Sequence, residues 1–97
     1  MIRHTVLLTF RPEATDTQLR ALEEALSRLP ARLSKIRAYR FGRDAGINAD
    51  QASFAVVADF DTVDDYMEYR DDAEHGRIIT ELIVPILASR TAVQFEF

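Results

Sequence analysis

Apolar residues recur at every second position of the opening segment, and this period constrains the fold more than any other feature of the chain. One side of an extended segment would carry Ile2, His4, Val6, Leu8 and Phe10. The positions between them are mostly polar. A period of two is typical of a strand with one buried face. Residues 2–10 therefore predict a strand that places a histidine on its buried side.

A helix is predicted directly after this strand. Thr15 and Gln18 have the spacing of a capping box, in which each side chain bonds a free backbone N–H of the first turn. Leucines at intervals of three and four then mark one helical face: Leu19, Leu22, Leu26 and Leu29. We expect this stripe to belong mainly to the core. Leu22 and Leu26 are also expected to form the wall of a pocket. Because proline lacks the N–H that a helix interior needs, we expect the helix to end at Pro30.

The remaining periods complete a single domain over residues 1–97. The predicted elements, in order, are strand 2–10, helix 15–30, strand 36–43, strand 52–60, helical region 62–87 and strand 91–97. The second helical region is expected to break near Asp71–Asp72 and to kink or stop at Pro85. The order β-α-β-β-α-β is that of the ferredoxin-like α+β fold, a four-stranded antiparallel sheet with helices on one face.

The other face of this sheet is also predicted to be apolar. It would carry Leu7, Val56 or Val57, and Tyr39 or Phe41. Such a face is poorly suited to water. Packing two of these sheets together in a symmetric homodimer would cover it, and the product is a dimeric α/β barrel. Four strand phenylalanines are expected in the core: Phe10, Phe54, Phe60 and Phe95.

Composition and charge exclude several classes of function. The chain has no cysteine, which rules out disulfides and thiolate chemistry. Its formal net charge is −4 and no basic cluster is present, so we expect no nucleic-acid partner. No apolar stretch has the length of a membrane span or the form of a signal peptide. We therefore expect no membrane partner and a cytoplasmic location.

The two histidines of the chain, His4 and His75, are the candidate acid–base groups. Imidazole is the side chain whose ordinary pKa lies near neutrality. Asp71 and Asp72 precede His75 by about one helical turn, and their carboxylates are expected to raise its pKa. His75 could then act as a general base on a carbon acid. The alternative is a histidine that bonds the backbone where the helix restarts.

The other candidates also have purely structural alternatives. His4 could contact a substrate, or it could be a core histidine satisfied by a carbonyl. Tyr69 could present its hydroxyl to a substrate, or it could pack as a half-buried aromatic residue. Two histidines without a third ligand, and acidic residues spread along the chain, argue against a metal site. We expect no metal and no cofactor.

Several short motifs make the chain resemble a known family. The motifs are Ile2-Arg-His-Thr-Val6, Phe41-Gly-Arg-Asp44, Tyr69 with His75 six residues later, and Ala92-Val-Gln-Phe-Glu96. In this order they resemble the stress-responsive α/β-barrel domain from His4 to Phe95. The resemblance implies a homodimer with a cleft between sheet and helices in each protomer. Its best understood relatives are cyclases similar to olivetolic acid cyclase, which close a linear polyketide without a cofactor. Their cleft residues match His4, Tyr69 and His75.

The same resemblance shows where the chain departs from the cyclases. Their final strand carries an aspartate that can orient a cleft histidine, and Gln94 occupies the matching position here. An amide can fix the tautomer of an imidazole but offers no charge to an imidazolium. A bulky aromatic residue that gates the cyclase cleft is replaced by Leu26. We therefore expect a different substrate, with Leu22, Leu26 and Gln94 among its contacts.

Two classes of function remain open. In the first, the protein is a cofactor-independent enzyme that acts on a small substrate with an acidic carbon, such as an aromatic polyketide or a β-dicarbonyl compound. His75 would be the base, and Tyr69 and His4 would be polarising donors. In the second, it is a non-catalytic dimeric domain, either stress-associated or binding a small apolar or aromatic ligand. The enzyme requires that the three side chains converge on an open cavity.

Overall fold

One layer of the molecule is a four-stranded antiparallel sheet, seen in a computed structural model that describes residues 1–97. Its strands are β1 (Ile2–Phe10), β2 (Ala38–Arg43), β3 (Phe54–Phe60) and β4 (Leu87–Glu96). Their spatial order is β2-β3-β1-β4, and every neighbouring pair is antiparallel. The predicted ferredoxin-like α+β arrangement is therefore confirmed.

Helices cover one face of this sheet and form the second layer. They are α1 (Asp16–Arg32), α2 (Val63–Asp71), α3 (Ala73–Ile78), a π-helical turn (Ile79–Ile83) and a 3₁₀ turn (Val84–Ile86). The capping box predicted at the start of α1 is present, and the Gln18 backbone N–H donates to Thr15 Oγ1 at 3.2 Å. None of the helices is long and apolar enough to cross a membrane. The cytoplasmic location stays a prediction.

The first helix continues past the end that the sequence predicts. Pro30 lies inside α1, two residues before Arg32. A proline lacks only its own N–H, which would otherwise bond the carbonyl four residues back. The backbone N–H groups after Pro30 can still bond carbonyls of the preceding turn, and the Leu33 N–H donates to the Leu29 carbonyl at 2.9 Å. The prediction of an end at Pro30 is wrong, because the following turn still makes its own hydrogen bonds.

The later boundaries agree with the prediction in part. The second helical region breaks at Asp72 and stops in the 3₁₀ turn that contains Pro85, in agreement with the predicted break and stop. β4 begins at Leu87, four residues earlier than predicted, because its ladder with β1 extends past a register shift to the pair Phe10–Leu87. β2 begins two residues later than predicted.

The helix-covered face of the sheet carries the core. The alternating side of β1 is buried there, including His4, as predicted. Tyr39 and Phe41 of β2 also lie on this face, because they pair with core positions of β3. The prediction that one of them belongs to the outer face is wrong: the outer positions of β2 are Ala38, Arg40 and Gly42.

The uncovered face exposes large apolar side chains. Leu7 of β1 is 43% exposed, and Val93 and Phe95 of β4 are 55% and 44% exposed. The sequence predicts Phe95 in the core, and this prediction is wrong. Phe95 pairs with Arg3, which lies on the outer side of β1, so its ring points away from the helices.

Candidate functional site

A cavity of about 140 Å³ lies between the sheet and the helical layer. Its apolar lining residues are Val6, Leu8, Leu26, Val56, Ile78, Ile79, Ile83 and Leu87. Its polar lining residues are His4, Tyr66, Tyr69, Arg70, His75 and Arg90. A mostly apolar pocket with a few convergent polar groups is the usual form of a small-molecule site.

The cavity brings together four of the six residues that the sequence singles out: His4, Leu26, Tyr69 and His75. Leu22 does not line it, because this side chain is fully buried in the core one turn before Leu26. Gln94 does not line it either. It lies on β4 opposite His4 and contacts that imidazole instead. The catalytic and substrate-binding roles of these residues stay predictions.

His4 is held as a neutral imidazole whose Nδ1 is occupied. The side-chain nitrogen of Gln94 lies 2.8 Å from Nδ1. An amide nitrogen only donates, so Nδ1 accepts and the neutral ring carries its proton on Nε2. Burial, and then the charges of Arg90 and His75, lower the pKa of His4 to about 4. His4 is therefore a hydrogen-bond donor at neutral pH.

His75 is held in the opposite tautomer. Its Nδ1 lies 3.3 Å from the backbone carbonyl oxygen of Arg70. A carbonyl only accepts, so Nδ1 donates and Nε2 keeps a lone pair. Burial lowers the pKa of His75 and outweighs the raising effects of the Arg70 carbonyl and the Asp72 carboxylate. The predicted rise in the pKa of His75 is wrong because burial outweighs the nearby charge; Asp71 also pairs with Arg70, and Asp72 with Arg32.

The second ring nitrogen, Nε2, is free in both histidines. Neither Nε2 has a hydrogen-bond partner in the protein, whereas each Nδ1 has one. No enclosed side-chain nitrogen or oxygen lacks a partner, so neither Nε2 is sealed inside the core. Both rings line the cavity. One N–H donor, on His4, and one lone pair, on His75, are therefore free on two rings that line the same cavity.

Tyr69 lies between the two imidazoles. Its ring centroid is 4.1 Å from that of His75 and 5.9 Å from that of His4. Its hydroxyl is 3.0 Å from the hydroxyl of Tyr39. Burial raises the pKa of both phenols, that of Tyr39 to about 12. Tyr69 therefore stays protonated, and Tyr39, to which the sequence assigns no role in the site, holds its hydroxyl.

Three further polar residues line the cavity although the sequence assigns them no role in the site: Tyr66, Arg70 and Arg90. Tyr66 packs against His4 with ring centroids 5.0 Å apart. Arg90 is on the cavity side because it pairs with Leu8. Arg90 and Gln94 are an even number of residues apart and so share one face of β4, which could have placed Arg90 in the site. The sequence prediction leaves Arg90 out because it begins the strand at residue 91. No three His, Asp or Glu side chains come together in a way that could hold a metal ion.

The fold and the cavity together define a class: a ferredoxin-like α+β protein with a pocket between sheet and helices. A family model described as the Stress responsive A/B Barrel Domain matches residues 2–97. The chain belongs to this family, so the membership predicted from its motifs is confirmed. A search of the curated proteins finds no match.

Similar solved structures include dimers. A dimeric ferredoxin-like protein of unknown function from Thermobifida fusca is 40% identical, covers 99% of this chain and 90% of its own, and superposes with a TM-score of 0.91. A dimeric protein from Bacteroides fragilis, also of unknown function, is 27% identical, with coverage of 99% and 95% and a TM-score of 0.82. A hydroxynitrile lyase from Passiflora edulis is 16% identical, with coverage of 97% and 90% and a TM-score of 0.83. That last likeness shows the fold alone.

Proposed function

We propose that the cavity carries out cofactor-independent acid–base chemistry on a small substrate with an acidic C–H beside a carbonyl. The pair of opposite tautomers is the observation that carries this proposal. His75 has an unprotonated Nε2, as a general base requires, and its lowered pKa keeps it in that state at neutral pH. His4 has an N–H that can bond the carbonyl oxygen on which charge develops.

The proposed reaction is a proton transfer. Nε2 of His75 takes the proton, the electron pair of the C–H bond forms the enolate, and the carbonyl oxygen gains negative charge. The Nε2–H of His4 stabilises that oxygen. The His75 imidazolium then returns the proton. Tyr69 is a further donor in this proposal, because its own O–H is free for a substrate when Tyr39 donates to it.

The size of the cavity limits the substrate. An engineered protein cavity of about 150 Å³ binds benzene. The cavity here is of similar size, about 140 Å³. It therefore suits a single ring, or a β-dicarbonyl compound of that size, better than a long linear polyketide. The likeness to the cyclases is proposed for the carbon-acid chemistry and not for their substrate.

The proposal includes a homodimer. The apolar face formed around Leu7, Val93 and Phe95 has no cover within one chain. The 40% identical relative with the same fold is a dimer. A two-fold axis would bring the same face of a second copy onto it and remove its apolar side chains from water.

A non-catalytic ligand-binding domain is the second candidate. It is favoured by the way in which the candidate residues satisfy one another, since Gln94 bonds His4, Tyr39 bonds Tyr69 and His75 bonds the backbone. A stable core also requires such partners. The fold does not decide between the candidates, because one fold supports unrelated activities.

Exchange of carbon-bound protons separates the two candidates. Phenylacetone and related single-ring ketones would be incubated with the protein in D₂O, and the signal of the C–H beside the carbonyl followed by NMR. We expect saturable exchange by the wild type and a loss of roughly a hundredfold or more in His75→Ala. The rate should fall in acid with a midpoint below 6.5, the ordinary histidine pKa, because that of His75 is lowered.

The matched control is Val63→Ala, an exposed position at the start of α2, which should exchange at the wild-type rate. Thermal unfolding would establish that His75→Ala is folded. If the ketones bind saturably but exchange no faster than with His75→Ala, the enzyme is contradicted and the binding domain is favoured.

A further inference from the structure

An unpaired arginine stands at the mouth of the cavity. Arg90 lines the cavity and remains exposed to solvent. Each of the other eleven basic side chains has a carboxylate or a backbone carbonyl as a partner. Arg90 is the one that has neither. A guanidinium with five free donors beside an apolar pocket is equipped to bind an anion.

The lining offers this arginine no counter-charge. The chain has 16 acidic residues, but none of them lines the cavity. The second cavity arginine, Arg70, is already paired with Asp71 through contacts of 2.8 and 3.0 Å. Arg90 is therefore the uncompensated charge of the site.

The charge of Arg90 also affects the pKa values of the ionisable groups that line the cavity. It lowers the pKa of both His4 and His75, because a positive neighbour disfavours the imidazolium. It also acts to lower the pKa of Tyr69, because a positive charge favours the phenolate, although burial has a larger effect and raises that pKa. The guanidinium thus acts on all three polar groups of the proposed reaction.

We propose that Arg90 is an anion receptor and that the ligand of this cavity is a single-ring organic acid. Its carboxylate would bind the guanidinium at the mouth through two parallel hydrogen bonds. Its ring would lie against the apolar wall near Leu26, Val6 and Ile83. This inference rests on the proposed function, because it names the substrate class of the same site.

Benzoate and benzamide test the inference, because they share one ring and differ in charge. Each would be titrated into the protein and followed by backbone ¹H–¹⁵N chemical shifts. We expect benzoate to bind wild type roughly tenfold more tightly than benzamide. Arg90→Gln should abolish this difference by weakening the binding of benzoate. Arg20→Gln removes the same charge from an exposed site on α1 and should keep the preference. Salt at about 0.5 M should reduce the difference in affinity between benzoate and benzamide, because it screens the charge of Arg90.

Three results would overturn the inference: equal affinity of the two probes for wild type, a preference that survives Arg90→Gln, or no binding of either probe. If Arg20→Gln also lost the preference for benzoate, that preference would come from the net charge of the protein, and the inference would be overturned as well. The proposed function fails separately. His75→Ala should lose proton exchange and keep the benzoate preference, so a preference without exchange in wild type would leave Arg90 as the receptor of a binding domain.

Discussion

His4 and His75 have the same side chain but differ in which ring nitrogen is free, because their Nδ1 atoms have different partners. Nδ1 of His4 accepts from an amide, and Nδ1 of His75 donates to a carbonyl. The sequence singles out both histidines and Gln94 as candidate site residues. It could not predict the tautomers, because Gln94 reaches His4 only through the pairing of β1 with β4, 90 residues apart.

The lowered pKa of His4 makes the protein less stable in mild acid. Its folded-state value is about 4, and the ordinary value is 6.5. Between these values the unfolded chain binds a proton that the folded chain excludes, so the free energy of unfolding falls as the pH falls. We expect a loss of about 2 kcal/mol between about pH 7 and about pH 5, measured by urea unfolding.

The variant His4→Gln should flatten this dependence, because a glutamine does not titrate. Some slope should remain, since the pKa of His75 is lowered in the same direction. A slope in His4→Gln as steep as that of wild type would show that His4 is not the group responsible.

At the level of elements, the short helix α3 sets the position of His75. Asp72 ends α2 and caps α3, and its Oδ2 accepts the His75 backbone N–H at 3.0 Å. The sequence predicts the break at this point. It does not predict the pairing of Asp72 with Arg32, because a helix that ended at Pro30 would not include Arg32. The incorrect helix end therefore hid a contact that supports the site.

Removing this cap should weaken the proposed proton exchange as well as stability. We expect Asp72→Ala to lower the free energy of unfolding by about 1 kcal/mol, which is typical of a lost N-cap. We also expect Asp72→Ala to slow proton exchange roughly tenfold, because the imidazole of His75 would no longer be held in place. Thr15→Ala removes the cap of α1 and is the control, with a similar loss of stability and no change in the exchange rate. Equal exchange rates in the two variants would show that Asp72 has no positioning role.

On the scale of the whole molecule, the alternation of β1 and the element order were sufficient to predict the fold. They also predict an apolar outer face, with Leu7 in it. The assignment of β2 to the two faces failed, because Tyr39 and Phe41 have the same parity and only the pairing with β3 decides where they point. The cavity follows from packing and could not be derived from periodicity.

The outer face should hold two copies of the chain together. Val93 is 55% exposed, so Val93→Lys costs the single chain little. In a dimer the change occurs twice and would bury two charges, so we expect at least roughly a hundredfold weaker association by analytical ultracentrifugation. Val63→Lys, also exposed but on α2, is the control and should remain dimeric. A dimer of unchanged affinity in Val93→Lys would place the interface elsewhere.

The tautomers of the two histidines provide the most direct test of the proposed site. Long-range ¹H–¹⁵N correlation spectra of the imidazole rings at neutral pH distinguish protonated from unprotonated nitrogens. We predict that His4 carries its proton on Nε2 and that His75 carries its proton on Nδ1, with both rings neutral. A His75 that is protonated on Nε2, or on both nitrogens, would have no lone pair for a substrate and would contradict the account.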